Sequence, residues 1–388
     1  MSKKRSVSKK LSLALLTLAL CAFAATAKPE PAAAARGMLV GIYDPNQPLD
    51  TPSKAFPTLK NLRAQIIRID LSWGGIVAKK RPVHPTDPAD PAYNWEIYDQ
   101  LALNAAKNKI QVLLTIYGTP RWANGKKKGL NRAPRQMLFL QQFAFAAAKR
   151  YSGKFKLKDG TVLPPVRKWL AWNEPNNPTF LQPQFGRINA KRFIPVAARN
   201  YARMCAAVSS GVHTTHLRGE LVACGATDPR GNNSPRSRRP SISPLFFLSS
   251  LRRYGLSGRK FDVYAHHPYY SRPADTPSTK PKDKTSVTLG NIGDLTRLLT
   301  RLYGNKQLWI TEYGYQTRPP DRLFGVSWAK QAKYLSQAYS IARRNPKITM
   351  MLWFLLRDEG RLSGWQSGLF TASGKKKPAY YAFRRLPH

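Results

Sequence analysis

From residue 38 onward the chain alternates short apolar runs with longer stretches whose apolar residues recur at helical spacing. The pattern predicts strands at Met38–Tyr43, Gln65–Leu71, Ile110–Tyr117, Lys168–Trp172, Leu221–Gly225, Phe261–His267, Gln307–Thr311 and Ile348–Phe354. An amphipathic stretch follows each: Pro52–Ala64, Trp95–Asn108, Arg135–Tyr151, Ala190–Gly211, Ser243–Tyr254, Leu289–Tyr303, Ser327–Arg343 and Pro378–Leu386. Runs such as IQVLLTIY and ITMMLWFL are almost continuously apolar, as parallel strands buried on both faces require.

Eight strand-then-helix units predict an α/β chain folded as a (β/α)8 TIM barrel, a single domain over residues 38–388. The rival is an open, doubly wound sheet. It usually carries a Gly-rich phosphate turn after its first strand, and Tyr43-Asp44-Pro45-Asn46-Gln47-Pro48 has no glycine. Three long polar loops, Asp87–Asn94, Ala226–Ile242 and Ser271–Thr288, follow strands or strand extensions. In a barrel they crowd the carboxyl-terminal rim, where function resides.

The amino terminus has a different pattern. Five basic residues within the first ten precede an apolar run, Leu11–Ala24, and then Ala25-Thr26-Ala27. This is the layout of a secretory signal peptide over residues 1–27, followed by a flexible segment over 28–37. A secreted, extracellular protein without a transmembrane segment is therefore expected. Three Cys exclude a disulfide-framework protein and a Cys-rich zinc module. Cys205 and Cys224 leave two readings open, a disulfide or two small buried apolar side chains.

Charge narrows the chemistry. Lys and Arg number 64 against 20 Asp and Glu, a formal net charge of +44. The basic residues lie mostly in loops, as in Arg236 to Arg239 and Lys280 to Lys284. They fit a solvated cationic surface or attraction to an acidic, cell-wall-associated polymer. Export argues against nucleic acid as the main partner. Carboxylates are correspondingly scarce, yet two strands end on Glu: Trp169-Leu170-Ala171-Trp172-Asn173-Glu174-Pro175 and Leu308-Trp309-Ile310-Thr311-Glu312. These are the fourth and seventh strands, so a closed barrel brings Glu174 and Glu312 to the same rim. Two facing carboxyls are the minimal machinery of glycoside hydrolysis: one holds a proton for the leaving oxygen, the other attacks or activates water. Arg68, set between Ile67 and Ile69, needs an anionic partner and is suited to keep one carboxylate ionised.

Arg68, Asn173-Glu174-Pro175, His267-Pro268-Tyr269, Thr311-Glu312-Tyr313-Gly314 and Trp353 follow one another in this order, ahead of the tail Lys377-Pro378-Ala379-Tyr380. On these motifs nearly the whole chain beyond residue 37 resembles glycoside hydrolase clan A, retaining (β/α)8 barrels with the acid/base on strand four and the nucleophile on strand seven. The resemblance implies that Glu174 is the general acid/base and Glu312 the nucleophile. It implies that Asn173 binds the sugar 2-hydroxyl, Arg68 orients the nucleophile, His267 and Tyr269 lie beside it, and Trp353 forms the floor under the reacting sugar. No cofactor is implied.

Aromatic residues after strands, Trp122 above all and also Trp73, Tyr313, Tyr315 and Trp365, are candidates to line sugar subsites. Asp44 and Asp70 are lesser candidates for sugar hydroxyls or for Arg68. Of the pair His266-His267, alternation sends only one into the barrel mouth, and the His-x-Tyr spacing selects His267. No further ligand cluster accompanies the pair, so no metal is expected. The same residues serve hydrolases and transglycosidases. A carbohydrate- or polyanion-binding protein on a barrel scaffold is the non-enzymatic alternative.

Overall fold

The computed structural model describes residues 37–77, 80–127 and 129–387. The expected signal peptide and nearly all of the segment after it lie outside the described residues. Eight parallel strands form a closed barrel: β1 (Leu39–Tyr43), β2 (Ile66–Ser72), β3 (Gln111–Tyr117), β4 (Lys168–Ala171), β5 (Leu221–Thr227), β6 (Val263–His266), β7 (Gln307–Tyr313) and β8 (Ile348–Phe354). Neighbours in sequence are neighbours in space, and β1 closes the ring on β8. The outer helices are α1 (Pro52–Asn61), α2 (Glu96–Lys107), α3 (Met137–Arg150), α4 (Val196–His213), α5 (Pro244–Arg253), α6 (Ile292–Tyr303), α7 (Trp328–Arg343) and α8 (Pro378–Arg384). The architecture is thus a (β/α)8 barrel. Among the described residues, no helix is long and apolar enough to cross a membrane.

Strand alternation builds two apolar layers. Ile66, Leu113, Leu170, Val263, Trp309, Met350 and Leu352 fill the barrel interior. Ile67, Ile69, Leu71, Val112, Leu114 and Ile116 face the helices instead. This two-sided burial explains why the strand runs carry almost no polar residues. The exceptions on the inner face, among them Arg68, Asp70, Thr115, Thr311 and Glu312, lie near the carboxyl-terminal rim.

Helix boundaries follow local chemistry. Pro52, Pro244 and Pro378 open helices, where their fixed φ costs nothing. The Ser327 side chain accepts from the Lys330 N–H and starts α7. One predicted helix begins late: α4 starts at Val196, not Ala190. The preceding residues make a small antiparallel pair, Gly186–Arg187 with Phe193–Ile194. Pro195 disfavours helical φ and ψ in the residue before it, so the helix begins after it.

Cys205 of α4 and Cys224 of β5 form a disulfide with an S–S distance of 2.07 Å. It fastens the fourth helix to the fifth strand. Tyr201, one helical turn before Cys205, works on the same pair of layers. Its hydroxyl donates to the Ala171 carbonyl at the end of β4 (2.6 Å) and accepts from the Gly225 N–H in β5 (2.7 Å). Those two strand ends carry half of the site.

Candidate active site

Arg68 is fully buried at the barrel axis, and its guanidinium is the hub of the rim. Nε donates to Thr115 Oγ1 at 2.9 Å, and Nη2 donates to Asn173 Oδ1 at 2.5 Å. Nη1 reaches Glu312 Oε2 at 3.3 Å, the Thr311 carbonyl at 3.2 Å and His267 Nε2 at 3.2 Å. Asp70 Oδ1 lies 3.6 Å from Nη2, and the Tyr43 ring covers the guanidinium at 4.0 Å. A strand position between isoleucines thus holds a charge because acceptors, and the face of the Tyr43 ring, converge on it from five other strands or strand ends.

Two irregularities in the barrel aim the carboxyls. Along β7, Ile310 pairs with Met351 and Tyr313 with Trp353, so β7 has one residue more than β8 between these points. The extra residue lets Thr311 and Glu312 both face the axis, while Tyr313 returns to the outer layer. In β5 a shift between Gly225 and Thr227 inserts Ala226, whose carbonyl accepts the Glu174 N–H at 3.0 Å. Gly225 has φ of +106°, and a Cβ there would stand 2.6 Å from the Ala265 carbonyl oxygen. Trp172 and Glu174 also have positive φ, at 68° and 36°. Such conformations are uncommon for residues with a side chain and concentrate where function demands them.

Glu174 and Glu312 are each only 7% exposed. His267 stands between them: Nδ1 is 3.0 Å from Glu174 Oε1 and 3.6 Å from Glu312 Oε2. Burial drives the His267 pKa down to about 3, so the ring is neutral. Arg68 can only donate, so Nε2 must accept and the proton sits on Nδ1, directed at Glu174 Oε1. Both Glu174 oxygens accept a hydrogen bond, Oε1 from His267 at 3.0 Å and Oε2 from Asn177 at 3.2 Å, and the longer bond makes Oε2 the better seat for the Glu174 proton. On the other side, the Tyr269 hydroxyl donates to Glu312 Oε1 at 2.8 Å.

Burial raises both carboxyl pKa values, and that of Glu174 is pushed well above the usual carboxylate range. The repulsion of the Asp228 carboxylate adds to the effect on Glu174. For Glu312, the Arg68 charge and the Tyr269 hydroxyl oppose the rise. The environments therefore separate a proton-holding Glu174 from a Glu312 assisted toward the ionised form.

The two Glu open onto a cavity of about 490 Å³, whose lining includes Tyr43, Asn173, Tyr269, Phe354 and Trp365. His267 and Tyr269 contact the pair directly, and Asn173 is joined to it through Arg68. Of the expected binding aromatics Trp365 lines this cavity, whereas Trp73, Tyr313 and Tyr315 are buried away from it, and Trp353 and Trp122 also lie outside it. Trp353 is fully buried on the outer face of β8, where it donates to the Ser367 carbonyl at 2.9 Å and packs edge-on against Tyr313. Alternation gives the inner position to the next residue, so Phe354 rather than Trp353 lines the cavity. Trp122 donates to the Val77 carbonyl and packs against Trp73 and Phe139. It is a packing residue under the third loop. Asp44 is also structural: it accepts from the Asn46, Gln47, Leu356 and Arg357 N–H groups and joins the first loop to the eighth. His266 turns away, between Thr227 Oγ1 and the Val287 carbonyl.

The structure adds residues the sequence did not single out. Asn177 Nδ2 bridges Glu174 Oε2 (3.2 Å) and Asp228 Oδ2 (2.9 Å). Asn176 donates to the Asp228 and Ile242 carbonyls and accepts from the Asp228 N–H, fixing the loop after β5 against the loop after β4. The cue was their place directly after Glu174-Pro175.

A ligand cluster that the His pair did not announce also forms. Glu174, His267 and Glu312 offer one ligand atom each, all within 4.8 Å of one another. The donor types suit a cation, but Arg68 already brings positive charge to Glu312 Oε2 and His267 Nε2. The raised Glu174 pKa further reduces the anionic character of the set.

No protein-family model matches the sequence, and no curated protein is similar to it. Solved structures do share the fold. A family 39 glycoside hydrolase from the gut symbiont Bacteroides cellulosilyticus WH2 has a TM-score of 0.62 at 17% identity, covering 90% of this chain and 63% of its own. A monomeric beta-xylosidase from Caulobacter crescentus CB15 gives 0.59 at 16%, covering 90% and 69%. A beta-glucosidase from Exiguobacterium marinum gives 0.56 at 14%, covering 91% and 99%. The chain thus spans less than two thirds of the Bacteroides structure, at 63% of its length, but nearly all of the Exiguobacterium one, at 99%.

Proposed function

We propose that this protein is a retaining glycoside hydrolase acting on the O-glycosidic bonds, in the β configuration, of an oligo- or polysaccharide. The observation that carries the reading is the meeting of Glu174 and Glu312, which offer oxygens within 4.8 Å of each other. Retaining enzymes hold their carboxyl groups ~5–5.5 Å apart, whereas inverting enzymes leave ~6.5–9.5 Å for a water. The short separation supports double displacement. The likeness of the barrel to beta-xylosidase and beta-glucosidase structures supports a β-glycoside substrate.

In the first step Glu174 Oε2 gives its proton to the leaving oxygen while a Glu312 oxygen attacks the anomeric carbon. The glycosidic bond breaks and a glycosyl ester forms. Arg68 and Tyr269 hold Glu312 in place and favour its ionised form. As Glu312 loses its charge to the ester, the repulsion it exerted on Glu174 disappears. Glu174, now ionised, takes a proton from the water that cleaves the ester. His267, neutral and fixed at both nitrogens, keeps the two carboxyls in register. Asn173, whose Oδ1 accepts from Arg68, is assigned to the sugar 2-hydroxyl, with its Nδ2 as the donor.

The pattern of residues 1–27 supports export through a cleaved signal peptide. The Cys205–Cys224 bond is of the kind that persists in oxidising compartments. The net charge of +44 supports a negatively charged, wall-associated polymer as the substrate. The test of the activity is a panel of chromogenic β-glycosides assayed with native protein and Glu312→Ala. Hydrolysis should disappear in the variant, and azide should restore it with a product of inverted configuration. Full turnover by Glu312→Ala would reject the role of Glu312.

A further inference from the structure

A second cavity, of about 660 Å³, continues from the first on the Glu174 side; the two share Asn177, Asp228, Arg230, Arg239 and Ser271. The loops after β5 and β6 form its walls. Arg230, Arg239, Arg272, Lys280 and Lys282 line it, all exposed, and among the described residues none lies within ion-pair distance of a carboxylate, although Arg230 and Arg239 act on the Asp228 carboxyl from beyond that distance. Three carboxylates share the walls but are engaged locally. Asp275 accepts from the Arg272 N–H, Asp283 from the Thr285 N–H and Ser286 hydroxyl, and Asp228 from Asn177 and the Arg230 N–H. Arg239 is held in place by bonds to Thr179 Oγ1 (2.6 Å) and Asn177 Oδ1 (3.3 Å). The opposite side of the mouth differs in character: Phe324 and Trp365 face the catalytic cavity there, with Leu323 and Leu362 beyond.

Orientation follows from the acid. His267 holds Glu174 Oε1 on the buried side at 3.0 Å, whereas Oε2 is held more weakly, by Asn177 at 3.2 Å, so the leaving oxygen approaches Oε2, the oxygen that faces Asn177 and Asp228. The sugar units released in the first step therefore lie along the cationic cavity. Resting on the glycosidase reading, we infer that the leaving half of the substrate carries anionic sugar units, bearing carboxylate or sulfate, and that Arg230 and Arg239 receive the first of them. Cations outnumbering the carboxylates around a sugar-sized cleft focus a positive field where a neutral glycan would gain nothing from it. Arg is also the residue whose planar fork matches carboxylate and sulfate oxygens.

The experiment is affinity electrophoresis of the full chain as Glu312→Gln, which binds without cleaving, in gels containing polygalacturonate, dextran sulfate, neutral hydroxyethyl cellulose or single-stranded RNA. The same measurement is made with Arg230→Gln/Arg239→Gln and with Arg272→Gln/Lys280→Gln added. Binding to at least one anionic glycan should exceed binding to the neutral polymer, and each pair of substitutions should weaken it about tenfold. Preference for polygalacturonate identifies a uronate substrate, and preference for dextran sulfate a sulfated one. Equal binding by the variants, or RNA bound as tightly through the same cations, overturns the inference. Its failure is separable from that of the activity. Cation-dependent glycan binding by a wild type that cleaves nothing would reject only the glycosidase reading. Cleavage of neutral glycans indifferent to these cations would reject only this inference.

Discussion

Asp228 reaches Glu174 through Asn177, which donates to both carboxyls from one nitrogen. Its charge helps keep the acid protonated. Asp228→Asn keeps the shape and removes the repulsion, so the Glu174 pKa falls. Glu174 must be protonated in the first step, and the alkaline limb of kcat/KM should therefore move to lower pH. Tyr269→Phe acts on the other limb. Loss of the bond to Glu312 Oε1 raises the pKa of the nucleophile, so the acidic limb should move to higher pH. A hydrogen bond to a charged group contributes about 1.5–3 kcal/mol, so kcat should also fall by roughly ten- to a hundredfold. Unmoved pH profiles in either variant would reject the stated role. Glu174, Glu312, Arg68 and His267 were legible because each is chemically out of place on an apolar strand or at its end. Asn177 and Asp228 were not, since polar residues in a polar loop stand out only once the loop is folded.

At the scale of elements, the strand and helix runs were legible because burial on both faces leaves a near-continuous apolar signature. Their phase was not. Trp353 and Phe354 are adjacent, equally apolar, and reversed in role by a one-residue step. The extra residues in β5 and β7 were also hidden, since bulges have no apolar period, yet they aim both carboxyls. Gly225→Ala tests this directly. Its Cβ would press on the Ala265 carbonyl at a positive φ and displace the Ala226 carbonyl that holds the Glu174 N–H. Activity should fall at least about tenfold while the far-ultraviolet circular dichroism keeps its helical form, an expected cost of misplacing the acid. Unchanged kcat/KM would show that the bulge does not position Glu174. The disulfide makes a separate claim on stability. It closes a loop of sequence separation 19, and its reduction should cost about 3 kcal/mol in chemical denaturation.

For the whole molecule, the barrel gathers residues far apart in sequence onto one rim, and the loops after β5 and β6 add a cationic wall there. Exposed charges are screened within ~10 Å at moderate ionic strength. Cleavage of an acidic polymer should therefore weaken steeply with added salt, while a small neutral aryl glycoside should be cleaved at nearly constant kcat/KM. The central claim is narrower, that Glu312 becomes covalently attached to the sugar while Glu174 manages the proton. Its most direct test is mass spectrometry of protein incubated with a 2-fluoro analogue of whichever glycoside the native protein cleaves. The account predicts a single glycosyl adduct on the peptide containing Glu312. An adduct on any other residue, or none while the analogue is being turned over, would contradict it.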